Sequence, residues 1–378
     1  MSGAVQGFLA QGAIDSDKVE KFLAGRECPI VEGTTVTFVY HGAADEVRLR
    51  SWIFGLPTSQ PFQRVEDSDF WHLEMELPGM SRVEYKIEKV DGENVEWIMD
   101  PLNPRVARDP FGANSVCHGE GYEVPEWTLP DPEARAGTID ELSLPSRLLG
   151  GKRRVVLYLP ARFRRRRRYR LLVVHDGADY LRYAALQTVL DNLIDRQEIA
   201  PLVVALTIPE DRNAEYAADD RHAGFLATEL VPELEKRLPL IPRADARGLV
   251  GASFGAVAAL SAAWRYPDFW GRLLLQSGSF AFSDIGEHRR GPLFDPVAEF
   301  VNAFRDSPGR PADKVYLTCG IYESLIYENR SIVPLLQSTG MDLRYVEARD
   351  GHNWENWRDR LREGLSWLFP GPLWMVYE

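Results

Sequence analysis

The stretch Leu249-Val250-Gly251-Ala252-Ser253-Phe254-Gly255-Ala256 constrains this chain more than any other. An apolar pair closes a strand, a G-x-S-x-G turn follows, and FGAVAALSAAW continues as an Ala-rich helix. A serine on so sharp a strand-to-helix turn lifts its Oγ above the sheet, and the residues two before and two after it must be tiny to avoid a clash. Such a turn needs a mostly parallel sheet beneath it, and the flanking sequence supplies one. From 137 onward, RRVVLYLP, RLLVVHDG, PLVVALTIP, ARGLVG, GRLLLQSG and KVYLTCG are apolar runs bounded by turn residues, with helical patterns between them. Continuous apolar runs suit strands covered on both faces, the signature of an α/β domain built from βαβ units. Leu226, Leu230, Leu234 and Leu238 recur every four positions as a helix stripe, and further helices are expected at about 254–266, 327–338 and 354–368.

The first third has a different period. DSDKVEKFLAG (15–25) reads as a short helix ending at Gly25. From about 34, apolar residues take every second position: Val47, Leu49 and Ile53, then Trp71, Leu73, Met75 and Leu77. A period of two means half-buried strands, and Asp91-Gly92-Glu93-Asn94 marks a hairpin between two of them. Trp52 falls on the opposite parity. Residues 34–100 are therefore expected to form a small all-β sandwich. The segment 100–136 is rich in Pro, Gly and acidic residues and reads as a linker or a strapped surface segment. This divides the chain into 1–130, a helix, sandwich and linker, and 137–378, an α/β-hydrolase domain, with the boundary near 136.

Charge and cysteine usage narrow the setting. Against 44 Lys and Arg stand 56 Asp and Glu, a net charge of −12, so no nucleic-acid or anionic-membrane partner is expected. RFRRRRRYR (162–170) is the exception, with seven arginines. A nucleic-acid patch or localisation signal is the sharp reading, a solvated loop joining two strands is the expected one in so acidic a chain, and a weak role in attracting an anionic ligand stays open. Three widely spaced cysteines, Cys28, Cys117 and Cys319, form no disulfide framework and suggest a reducing compartment. The N-terminus has no basic region followed by an apolar stretch, and no run of about 18 apolar residues occurs, so a cytoplasmic location is expected. The sequence sets no oligomeric state.

A serine hydroxyl is a poor nucleophile at neutral pH and needs a base. In α/β-hydrolases the chain order is serine, acid, histidine, with the histidine after the last strand. DLRYVEARDGHNWENWRD supplies a late strand, a turn and then His352, while His288 sits in the polar stretch EHRRG. His118 and His222 precede the serine, and His175 ends a strand. The acid should follow the penultimate strand, where KVYLTCG leads into Ile321-Tyr322-Glu323, so Glu323 is expected to be the third member. Asp313, Asp342 and Asp350 are the alternatives. Asp350 stands only two residues from His352, an awkward geometry. The oxyanion hole needs two backbone N–H groups, one from Phe254 and one from the loop near Gly177 or Ala178. His175 and Asp176 are expected to fix that loop as a structural pair, and Gly177 to let the backbone approach a substrate. Neither H-E-x-x-H nor a phosphate or dinucleotide fingerprint occurs, so no metal and no cofactor is expected and the hydrolysis reads as metal-free.

Together these segments resemble the enterochelin (enterobactin) esterases and their esterase-D-like relatives. LLVVHDGADY, PEDRNAEYAADDRHAGFLATELVPELEKRLPL, GASFGAVAALSAAWRYPDFWGRLLLQSGSF, CGIYESLIYENR and GHNWENWRD carry the likeness in the second half. DPLNPR and FGANSV are similar to the end of the immunoglobulin-like (E-set) domain that precedes such hydrolases. The resemblance implies a small-molecule ester substrate, a ferric catecholate siderophore, whose backbone esters are cut to release iron. A polyanionic aromatic ligand wants arginine for charge and aromatic rings for stacking. Arg212, Trp354 and Trp357 are the candidates, with Arg212 as a partner of Glu215 and the tryptophans as core contacts of the last helix standing as the bland alternatives. A feruloyl or acetyl-xylan type of carbohydrate esterase, and a non-catalytic binding protein on the same fold, remain open.

Overall fold

The structure, a computed structural model, describes residues 3–283 and 290–372; His288 lies outside them. The chain forms two compact units. The first comprises Met1–Val124 with two short later segments, Gly320–Glu323 and Ala348–Asn353; the second comprises the remainder.

The first unit opens with helices Ala4–Leu9 and Ser16–Leu23, the second of them capped by Asp15, which accepts from the Lys18 N–H at 2.9 Å. Ten strands follow: β1 (Ile30–Glu32), β2 (Thr35–His41), β3 (Glu46–Ser51), β4 (Ser59–Pro61), β5 (Gln63–Arg64), β6 (Phe70–Glu76), β7 (Arg82–Asp91), β8 (Asn94–Ile98), β9 (Val106–Asp109) and β10 (Gly112–His118). They make one sheet in the order β1-β2-β6-β5 and another in the order β4-β3-β7-β10-β9, with β8 paired to β7. Period-two residues meet in the core, where Phe38, Leu49, Tyr85, Ile87 and Cys117 are fully buried. Trp71 is 4% exposed and donates from Nε1 to the Gly42 carbonyl, whereas Trp52 is 45% exposed, as their opposite parity requires.

The segment after 100 is not a linker. It continues into β9 and β10, and what replaces apolar periodicity there is a buried polar knot. The Tyr85 hydroxyl donates to Asp100 at 2.5 Å, and the Asn103 amide donates to the Val116 carbonyl at 2.8 Å. Asp100 also accepts from the Leu102 N–H at 2.8 Å. A composition dominated by Pro and Asp hides such a knot, because its stability comes from satisfied hydrogen bonds rather than from alternation.

The second unit holds β11 (Thr138–Pro145), β12 (Lys152–Leu159), β13 (Arg170–Val174), β14 (Leu202–Thr207), β15 (Arg247–Ala252), β16 (Arg272–Gln276), β17 (Lys314–Gly320, its last residue grouped with the first unit) and β18 (Asp342–Ala348, likewise). Their order is β11-β12-β14-β13-β15-β16-β17-β18. The pairs β11–β12 and β12–β14 are antiparallel, and β14, β13, β15, β16 and β17 run parallel. Successive residues of β13 supply opposite clusters, Leu171 and Val173 to one and Leu172 and Val174 to the other, so both faces are covered. β11 has no apolar signal because it is an exposed edge strand with only Leu144 buried. The leucine stripe is real but its helix is not uniform: Asp220–Gly224 passes through a π-helical turn, Phe225–Leu230, into Val231–Arg237. Pro232, which has no N–H to give back to the preceding turn, sits where the register changes, and Leu238 is already extended. No helix among the described residues is long and apolar enough to cross a membrane.

The parity of the two tryptophans makes a stability test. Trp71→Ala should cost about 3–5 kcal/mol in the urea transition of the first unit, and Trp52→Ala no more than about 0.5 kcal/mol.

Candidate active site

Ser253 stands between β15 and the helix Phe254–Arg265 with φ +57° and ψ −121°, a backbone conformation that L-residues avoid. Its N–H donates to the Gln276 carbonyl at 2.9 Å, which fastens the turn to the end of β16. A Cβ on Gly251 would lie 2.1 Å from the Gly255 carbonyl oxygen, and one on Gly255 would lie 3.3 Å from the His175 Cβ. Gly251 is thus required by contact, and Gly255 sits in a tight fit. Phe254 opens the helix, so its N–H has no intrahelical partner. The Ser253 Oγ lies 3.1 Å from the Ser279 Oγ. Ser277 and Ser279 of QSGSF are the nearest rivals for the nucleophile in the sequence, but they follow a later strand without an elbow. Neighbouring Ser277 is a structural hydroxyl, fully buried and accepting from the Trp357 indole N–H at 2.9 Å.

The loop after β13 differs from expectation in its pairing. His175 and Asp176 do not pair with each other. The fully buried His175 donates from Nδ1 to the Val250 carbonyl at 2.9 Å, which leaves Nε2 to accept from His222 Nε2 at 3.1 Å. Burial holds its pKa down to about 3, so it is a neutral structural imidazole. Asp176, at φ +52°, instead receives two hydrogen bonds from Arg212, at 2.8 and 2.7 Å, and Arg212 also lies over the Tyr216 ring. The carboxylate of Glu215 is taken by Arg153 at 2.9 Å, so the Arg212–Glu215 alternative fails. Gly177 is required by packing rather than by substrate approach, since a Cβ there would stand 2.3 Å from the Leu206 Cβ. Gly177 and Ala178 open the short helix Gly177–Tyr183, with N–H groups outside its ladder. Trp354 and Trp357 are core side chains, 7% and 5% exposed, and their expected role as stacking platforms is corrected. Trp354 packs edge-on against Tyr180, and the two indoles pack edge-on against each other.

The histidine and its carboxylate belong to the first unit, in the segments that follow β17 and β18. His352 donates from Nδ1 to Glu323 Oε2 at 2.6 Å, which fixes the tautomer and turns the basic lone pair to Nε2. Glu323 is 4% exposed, and its other oxygen accepts from the Gly320 N–H at 2.6 Å. Tyr322 is buried in the sandwich core and bonded to Ser81 at 2.6 Å. Ser81 gives its proton to the Pro78 carbonyl, so the Tyr322 hydroxyl is the donor of that pair. The Arg82 N–H donates to the Arg349 carbonyl at 2.9 Å, and its guanidinium reaches Asp350 at 3.3 Å and the Asn353 side-chain oxygen at 3.0 Å. Asp350 thus serves to brace the histidine loop, accepting also from the Gly351 N–H and the Asn353 amide, each at 2.7 Å. Asp342 and Asp313 are surface partners of Lys314 and Arg310.

The putative esterase family profile matches residues 146–368. The chain is 25% identical over 333 residues to the iron(III) enterobactin esterase of Escherichia coli, covering 81% of this chain and 82% of that protein. Among solved structures, the enterobactin esterase of Shigella flexneri, determined in the presence of enterobactin, superposes with a TM-score of 0.75 at 22% identity, over 92% of this chain and 97% of that one. A ferulic acid esterase of Anaeromyces mucronatus shares the fold over 65% of this chain and 96% of its own, at 15% identity and a TM-score of 0.54. A serine raised on a strained elbow above a mostly parallel sheet, in a chain with these relatives, defines a carboxylic ester hydrolase. The chain belongs to the putative esterase family, and within it is enterochelin-esterase-like.

Buried Asp350 gives a pH test of the loop brace. Burial pushes its pKa up to about 6 despite Arg82, so the folded unit binds this proton more tightly than the unfolded chain. The stability it contributes is present below about pH 4 and is lost as pH rises through 6. Asp350→Asn should flatten that decline, by on the order of 3 kcal/mol, in urea unfolding followed from pH 4 to 7. An unchanged pH slope would show that the buried carboxyl does not titrate in this range.

Proposed function

We propose that this esterase hydrolyses the backbone esters of a ferric catecholate siderophore in the cytoplasm, with iron(III) as cargo, and that Ser253, His352 and Glu323 act as its triad. The observation that carries the substrate class is the extent of the sequence likeness to the E. coli enterobactin esterase. At 333 residues it runs well beyond the family match of 146–368 and into the first unit. The likeness to the ferulic acid esterase is one of fold over 65% of the chain.

In this reading the Ser253 Oγ attacks the ester carbonyl while His352 Nε2 takes its proton. The developing imidazolium is held by Glu323 through Nδ1. The oxyanion is met by the N–H of Phe254 and by that of Gly177 or Ala178. Collapse of the tetrahedral intermediate expels the alcohol, which takes the proton back from His352. Water activated by the same imidazole then frees the acyl group. Arg212 has two of its five donors committed to Asp176, which leaves both Nη1 hydrogens and the second Nη2 hydrogen for a catecholate oxygen, and its side chain is 38% exposed.

The deciding assay compares a ferric catecholate trilactone with a feruloylated sugar. Preferred turnover of the trilactone is expected; preference for the sugar would transfer the chain to the carbohydrate esterases. A fluorophosphonate should label Ser253 alone, and Ser253→Ala should lose several orders of magnitude in kcat. Glu323→Gln should lower kcat by roughly 10²–10⁴, the range for a lost orienting acid. Asp350→Asn should lower it less than about tenfold at neutral pH, since that carboxylate braces the loop without touching the imidazole. Equal losses from the two variants would remove Glu323 from the triad.

A further inference from the structure

We propose that the arginine loop between β12 and β13 forms a binding site for a triphosphate chain. The loop borders a cavity of about 800 Å³ lined by six arginines, Arg135, Arg162, Arg164, Arg166, Arg167 and Arg170. The one carboxylate in its wall among the described residues, Asp195, is already bonded to Arg135 at 2.6 Å. Among the described residues, Arg162, Arg164, Arg166, Arg167 and Arg170 make no ion pair. This is in a chain where acids outnumber bases 56 to 44 and most other arginines beside the sheet have a carboxylate partner. Five like charges converging on one concavity repel one another, and an anion seated among them relieves that repulsion.

The concavity is built rather than loose. Arg165 and Arg168 donate to the Arg237 and Leu240 carbonyls at 3.1 and 3.0 Å, and the Arg164 N–H donates to the hydroxyl of buried Tyr169 at 2.8 Å. Phe163 stacks on the Tyr169 ring with centroids 4.9 Å apart. The chain on either side of Tyr169 is therefore pinned, and the other arginines are held around the cavity by backbone that is already fixed. Guanidiniums bind phosphate oxygens bidentately, and a fixed backbone lowers the entropic cost of gathering them around one anion.

Size and composition select the ligand. The volume is that of a small-molecule site, and Ile199, Pro201 and Pro370 give it one apolar wall. Among the described residues the one aromatic of the lining, Tyr169, is buried and offers no platform on which the bases of a single strand could stack, and the net charge of −12 repels a long polyanion. A compact chain of three phosphates matches five unneutralised guanidiniums, either alone or as the tail of a nucleotide against the apolar wall. The site also lies at the other end of the strands from the nucleophile. Arg170 and Leu202 open β13 and β14 in register, whereas Gly177 and Ser253 follow the closing ends of β13 and β15. A ligand here does not compete with an ester at Ser253.

Calorimetric titration of the full chain with sodium tripolyphosphate, and in parallel with ATP, tests the site. One-to-one binding that weakens steeply with added salt is expected. ATP binding tighter than tripolyphosphate would identify a nucleotide as the source, and equal or weaker ATP binding a free polyphosphate chain. The combined variant Arg162→Gln, Arg164→Gln, Arg166→Gln, Arg167→Gln should lose at least about tenfold in affinity, with short-chain ester turnover and Tm unchanged. Arg154→Gln with Arg243→Gln, neither of which lines the cavity, should bind as the parent does. Should the quadruple variant fold poorly, the single charge reversal Arg166→Glu carries the same expectation. Absence of binding at millimolar ligand, undiminished binding by the variants, or binding of a single-stranded RNA oligonucleotide without binding of tripolyphosphate would each overturn the proposal.

Discussion

Everything in the second unit is arranged around a backbone conformation that Ser253 would not adopt by itself. The positive φ is held because β15 delivers the serine in register with β16, and because the helix that follows starts at once. That close start is what brings the Gly255 carbonyl to within 2.1 Å of where a Cβ on Gly251 would stand. The demand for small side chains continues beyond the motif. Ala256, Val257, Ala258, Ala259, Ala262 and Ala263 are all buried, because this helix lies in the core with no solvent face over most of its length. The Ala-rich run is therefore a packing consequence of the elbow rather than a helix propensity signal alone.

The proposed base depends on a different set of contacts. His352 is oriented by Glu323, Glu323 by the Gly320 N–H, and the segments carrying them by Tyr322 in the sandwich core and by Arg82 from β7. The β-rich unit thus supplies the fixed surroundings of the imidazole, including the buried ion pair of Arg82 and Asp350. A buried ion pair adds little net stability but is costly to break from one side, which suits a contact whose role is to hold position.

Much of this was legible in the sequence, and the failures share a cause. The elbow, the six apolar runs that became β12 to β17, the late strand that became β18, the period-two sandwich and the chain order of Ser253, Glu323 and His352 all rest on local pattern. Glu323 was separable from Asp350 because its longer side chain and earlier position let it approach the ring from outside the histidine turn. What could not be read were pairings between distant residues of like plausibility. Asp176 chose Arg212, and Glu215 chose Arg153, although Glu215 is three positions from Arg212 and Arg153 is 62 away. The edge strand β11 and the β9–β10 hairpin escaped for a related reason. Their stabilising partners are hydrogen bonds, and hydropathy does not record those. Trp354 and Trp357 misled because an aromatic pair three apart on a helix looks the same whether it lines a cleft or fills a core.

The first unit is written in three separate stretches of sequence, the last of which ends at Asn353. Gene fusion ordinarily adds or removes a domain at one junction, and here no one junction exists. A recombination event that exchanged the region before Val124 would leave residues 320–323 and 348–353 behind, still shaped to the ancestral sandwich. Tyr322 would lose its core and Asp350 its arginine. The two units are therefore bound to descend together, and substitutions at Ser81 or Arg82 should be constrained in evolution by partners more than two hundred residues further along the chain.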